Sequence, residues 1–110
     1  MKVHLIKRQT IHDYIHRHAN AGKGFSDWLN KIVLADWEKP EDMQCTYPSA
    51  DLLGRGTDRV VFDIGGNKFR MICSYHFGRM QVHLFVNWIG THAEYTRLCK
   101  DGKQYSISNY

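Results

Sequence analysis

Proline and cysteine are both scarce in this chain, at 2 and 3 of 110 residues. So little proline, beside 43% hydrophobic and 24% charged residues, is the composition of a globular protein and excludes a disordered one. Cys45, Cys73 and Cys99 are odd in number and far apart, and no Cys-x-x-Cys pair exists. That excludes a zinc knuckle and a thioredoxin motif. Met1-Lys2 leads into only four apolar-rich residues, too few for a secretory leader, so a reducing cytoplasm is the expected compartment. No apolar run approaches the roughly 20 residues that span a bilayer, and no membrane partner is expected. Internal repeats, heptads and low-complexity segments are also missing. The length suits one domain, residues 1–110, with a core that folds without staples and residues 99–110 as a tail.

What is present is positive charge. The net charge is +4 before any of the 7 histidines is protonated, and the isoelectric point is about 9.1. That balance favours a polyanionic partner without proving one.

The organising stretch is Arg59–Tyr75, in which two alternating runs flank Gly65-Gly66-Asn67. Glycine and asparagine accept the positive φ angles of a tight reversal, so a hairpin is predicted. Val60, Phe62 and Ile64 share one face of the outgoing strand, opposite Arg59, Val61 and Asp63. On the return, Lys68, Arg70, Ile72 and Ser74 oppose Phe69, Met71, Cys73 and Tyr75. Two cations therefore stand side by side on a strand whose other face is apolar.

Upstream, Val3–Ile6 reads as a short strand. Thr10 is the predicted N-cap of a helix over 10–19, with Ile11, Tyr14, Ile15 and His18 on one face. His12 and His16 have a spacing that suits a metal, and His18 follows. No cysteine or acidic third ligand lies near, so no metal site and no cofactor are expected. A second helical face repeats at Phe25, Trp28, Leu29, Ile32 and Val33, an aromatic stripe suited to covering the hairpin sheet. Trp37 closes that packing, and Pro40–Thr57 reads as a loop with a short strand or helical turn. Met80–Trp88 is a third antiparallel strand, with Val82, Leu84 and Val86 opposite His83, Phe85 and Asn87. Thr91 and Glu94 then form a capping box that puts His92 at the first position of a short helix. The resulting class is α+β: a strand and two helices packed on one face of a small antiparallel sheet, then a C-terminal helix. The face carrying Lys68 and Arg70 is left partly open.

That face has the parts for metal-free RNA cleavage. Arg70 can grip two phosphate oxygens, Lys68 adds charge, and histidine is the side chain suited to proton transfer near neutrality. Tyr95, one turn beyond His92, can stack on a base or donate a hydrogen bond. Arg79, Arg55, Arg97 and Lys100 are further candidate phosphate contacts. Each signal is weak alone, since a single histidine or a strand Lys-x-Arg is more often structural.

Phe62–Arg70, followed by Thr91-His92-Ala93-Glu94-Tyr95, resembles the HigB-type toxins of the RelE superfamily. Ile6-Lys7-Arg8, the Trp28–Trp37 region and Tyr47-Pro48-Ser49-Ala50-Asp51 resemble it too, in the same order, over roughly residues 2–98. The resemblance implies a RelE-like fold and a ribosome-dependent, metal-independent mRNA endoribonuclease that arrests translation. It also implies a cognate antitoxin, HigA-like, with a helix-turn-helix DNA-binding domain. In the motif Asn67-Lys68-Phe69-Arg70, Arg70 matches the arginine that contacts the scissile phosphate. His92 matches the proton-transfer histidine and Tyr95 the aromatic residue beside it. Asn87 stands where close relatives carry an arginine in the last strand, with His83 or Arg79 as the residues to compensate. That departure keeps open an alternative: a non-catalytic RNA- or protein-binding module on the same fold.

Overall fold

The computed structural model describes residues 1–110, and its centre is the predicted hairpin. Five strands form one sheet: β1 (Lys2–Ile6), β2 (Asp51–Leu52), β3 (Arg59–Ile64), β4 (Phe69–Phe77) and β5 (Gln81–Thr91). Their order is β1-β5-β4-β3-β2, antiparallel throughout except that β1 runs parallel to β5. The predicted three-stranded meander is thus β3-β4-β5. The opening strand extends it at one edge, and the short strand in 40–57 extends it at the other.

Four helices accompany the sheet: α1 (Arg8–Arg17), α2 (Gly22–Ile32), the single turn α3 (Met43–Thr46) and α4 (His92–Lys100). The first two cover one sheet face, as the apolar periodicity requires. Ile11 and Tyr14 of α1 and Phe25, Trp28, Leu29 and Ile32 of α2 are buried against Val60, Phe62, Ile64, Phe69, Met71 and Cys73. Aromatic edges meet across this layer, with Trp28 and Phe62 centroids 5.3 Å apart. Burial pushes the Cys73 thiol well above its usual range, so this cysteine is packing and not chemistry.

Four expectations change. Helix α1 begins at Arg8, and Thr10 is a buried residue inside it rather than its cap, because the chain turns directly out of β1 at Lys7. Val33 falls beyond the last turn of α2 and is exposed. Lys68 lies in the hairpin turn, not on the strand. Ile64 pairs with Phe69, so the loop is four residues long. Finally, the second sheet face is not open at its hairpin end. There α4 lays Tyr95 and Leu98 over Val61, Ile72 and Trp88, and Ile107 joins them from the chain's last residues.

A bulge in β5 makes that second layer possible. Ile72 pairs with Trp88 but Cys73 pairs with Val86, leaving Asn87 as the extra residue. Before it, Val82, Leu84 and Val86 face α1 and α2. After it the parity flips, so Ile89 rejoins that core and Trp88 turns to the other face. Two glycines permit close contacts. A Cβ on Gly24 would lie 2.6 Å from the Gly65 nitrogen, and one on Gly90 would lie 2.4 Å from the Trp88 ring.

Candidate functional site

Strand β5 runs into α4 without a loop, and this junction carries the predicted histidine. The Thr91 hydroxyl accepts from the Glu94 amide at 3.2 Å, and the Glu94 carboxylate accepts from the Thr91 amide at 2.7 Å. The capping box is thus formed as read from the spacing, which fixes where α4 starts. His92 is its first residue, with an exposed side chain at the positive end of the helix. Its amide donates to the Lys68 carbonyl at 3.0 Å, tying the helix start to the hairpin turn. Exposed Lys68 and exposed His92 are therefore neighbours through their backbones.

Arg70 sits beneath them and is not the free cation anticipated. It is buried, 8% exposed, with Nε 3.0 Å from an Asp63 oxygen in the cross-strand position. One terminal nitrogen donates to the Asn67 side chain and the other to its own neighbour's carbonyl, Phe69, at 3.1 Å. Three of five guanidinium N–H groups are committed, and two remain. A four-residue loop makes the Asp63–Arg70 opposition legible, but a three-residue reading hides it.

Tyr95 also faces inward. It packs on the Val61–Ile72–Trp88 cluster, its ring 6.1 Å from Trp88. Burial, then a hydrogen bond with Cys99, pushes its phenol far above the usual range, so it stays protonated and can only donate or stack.

The remaining predicted contacts scatter. Arg97 and Lys100 are exposed on α4. Arg55 lies over the Tyr105 ring at 4.6 Å, held by the C-terminal segment. His83 lies near the start of β5, roughly 30 Å along the strand from His92 at about 3.3 Å per residue, and Arg79 lies in the turn before it. Neither can stand in for Asn87. Asn87 itself is buried at the bulge, its side-chain amide donating to the Ser74 hydroxyl and its backbone carbonyl accepting from the Asn109 backbone amide at 2.8 Å. It serves the fold where it stands.

One cation escaped the sequence reading. Lys23, on the first turn of α2, shares with Lys68 a cavity of about 290 Å³ that Asn20, Asp27, Gly65 and Gly66 also line. The two lysines are 45 positions apart, and no local pattern signals that they line one cavity. No helix is long and apolar enough to cross a membrane.

A mostly antiparallel five-stranded sheet with two helices on one face is consistent with a RelE-like fold. Residues 21–98 match the HigB toxin family, the RelE-like toxic component of a toxin-antitoxin system, and the chain belongs to that family. It is similar to the "mRNA interferase HigB" of Escherichia coli O6:H1, 26% identical over 98 residues, covering 89% of this chain and 93% of that protein. The "mRNA interferase toxin HigB" of Escherichia coli K12 is 25% identical over 93 residues, covering 84% and 88%. The Shigella flexneri "mRNA interferase HigB" matches to the same extent.

Proposed function

We propose that this chain is an mRNA endoribonuclease, the toxin of a toxin-antitoxin pair, cleaving mRNA on the ribosome without a metal ion. The observation that carries the reading is the exposed His92 at the start of a capped helix, bound through its amide to the turn that presents Lys68. Membership of the HigB toxin family supports it.

Cleavage asks for three things: removal of the 2′-hydroxyl proton, stabilisation of charge on the phosphate, and protonation of the departing 5′-oxygen. The 2′-oxygen bonds to phosphorus and the bond to the 5′-oxygen breaks. His92 moves a proton in this exchange. Lys68 meets the phosphate directly, and Arg70 contributes its two uncommitted N–H groups and its charge from below. Tyr95 acts as a neutral donor or a support for the helix. The cavity between Lys23 and Lys68 takes the nucleotide flanking the scissile bond, and Arg97 and Lys100 steer the strand. The cognate antitoxin, HigA-like with a helix-turn-helix domain, silences the chain in the cytoplasm.

Induced expression of wild type beside His92→Ala, with mRNA 5′ ends mapped, tests the reading. Arrest with discrete new 5′ ends, both lost in a folded His92→Ala variant, is the expected result. Normal growth with intact mRNA from the folded parent overturns it. Cleavage assayed with and without ribosomes, and with chelator, separately checks ribosome and metal dependence.

A further inference from the structure

Two cavities run together along the seam between α2 and the β3–β4 turn, and their charges differ from end to end. One, of about 290 Å³, is lined by both Lys23 and Lys68. The other, of about 170 Å³, is lined by Asp63 and Lys31 instead. Asp27, Gly24, Gly65 and Gly66 line both, so the two form one groove. Gly24 lets α2 sit directly on the turn, and the turn glycines leave bare backbone on their side of the seam. The side-chain chemistry of the shared part therefore belongs to Asp27. Its carboxylate is exposed, with Oδ2 3.7 Å from the Lys23 ammonium one helical turn away. Asp63 is held by Arg70 at 3.0 Å. The Lys68 end of the groove is the end tied to His92 through the backbone.

We propose that this groove takes a guanine base of the RNA, with Asp27 as the residue that selects it. The proposal rests on the nuclease reading for where the groove stands relative to the cut, and adds the identity of the flanking base. A nucleotide carries its negative charge at one end only. The phosphate suits Lys68 and Lys23, and it is repelled from the end lined by Asp27 and Asp63. What enters there is the neutral base, which must offer N–H groups to a carboxylate that only accepts. Guanine alone presents two adjacent donors on its Watson–Crick edge, N1–H and N2–H, matching the two oxygens of one carboxylate. Its O6, beside them, accepts from Lys23 or from Lys31 in the same groove. Adenine and cytosine each offer a single exocyclic amine. Uracil offers one N–H between two carbonyls, whose oxygens face the carboxylate and are repelled by it. Guanine is therefore the favoured base and uracil the least favoured.

The test is calorimetric titration of the full-length chain with the 3′- and 5′-monophosphates of guanosine, inosine and uridine, beside mapped mRNA 5′ ends. Guanosine monophosphate should bind about tenfold more tightly than its uridine counterpart, the scale of one good base-specific pair. Inosine monophosphate, which lacks only the N2 amino group, should lose most of that advantage. Asp27→Asn, at an exposed helical position, should abolish the preference, whereas Lys68→Gln should weaken all the nucleotides alike. In cells, guanine should stand at one fixed position beside the cut in wild type and at none in Asp27→Asn. Should Asp27→Asn fail to fold, the guanosine–inosine comparison in wild type decides. Equal binding of guanosine and uridine nucleotides, equal binding of guanosine and inosine nucleotides, or a preference that persists in folded Asp27→Asn overturns the proposal. Cleavage with no guanine beside the cut also overturns it and leaves the nuclease reading standing. Guanosine-selective binding through Asp27 by a chain that cuts no RNA does the reverse: the base pocket stands and the nuclease reading falls.

Discussion

Arg70 shows how one residue can be recognised by type and misjudged by setting. The alternation of β4 correctly puts it opposite the α1–α2 core, but its guanidinium is spent largely on Asp63, Asn67 and Phe69. Removing it leaves a carboxylate at 29% side-chain exposure without its partner. Arg70→Met should therefore cost about 2–3 kcal/mol, below the full penalty for a broken buried pair because Asp63 is partly solvated. Adding Asp63→Leu should restore most of that loss. Urea denaturation of the two variants is the check; a double variant no more stable than the single one contradicts the pairing. His92 is the converse case. Its exposure and its place at the helix start follow from the Thr91–Glu94 spacing, so the loss of arrest expected of His92→Ala should come with an unchanged melting temperature.

At the scale of the element, the β5–α4 junction depends on small side chains as much as on chemistry. The Trp88 ring occupies the space a Cβ on Gly90 would need, and the ring in turn supports Tyr95. Gly90→Ala should destabilise the fold by about 1–3 kcal/mol, as overpacking of a filled site does. It should also loosen α4, reducing cleavage while leaving His92 in place in sequence. Hydrogen exchange at the α4 amides, compared with those of β3, reads the effect directly; equal α4 protection in wild type and Gly90→Ala argues against it. The capping box and the aromatic stripe of α2 were legible because each is set by spacings of three or four residues. The bulge at Asn87 was not legible, since the side chain signals no break in alternation and only pairing with β4 reveals the extra residue.

At the scale of the whole molecule, several tyrosines are held neutral by burial. Burial, with Glu94 nearby, pushes the Tyr14 phenol from 10.0 to about 12, and its hydroxyl has no hydrogen-bond partner. Burial moves Tyr47 and Tyr95 the same way. A raised folded-state value means that stability is full below pH 10, the unfolded value, and is lost as pH rises from there through about 12. Urea midpoints should therefore fall steeply over that alkaline window, and Tyr14→Phe should flatten the fall without loss at neutrality. A slope unchanged by Tyr14→Phe would remove this tyrosine from the account.

The sequence by itself determined the faces of β3 and β4, the aromatic layer of α1 and α2, the start of α4 and the residue types that gather at its tip. These rest on local periodicity and on hydrogen bonds between near neighbours, which few residues suffice to encode. Tertiary structure alone decided that β1 joins β5 some eighty positions away, that Lys23 and Lys68 line one cavity, and that Arg70 is paired with Asp63. It also decided that the last residues close over Trp88, with Arg59 holding the carbonyls of Gln104 and Ile107. Such contacts depend on register and strand order, which are settled by the packing of the whole chain and leave no mark on any short stretch of it.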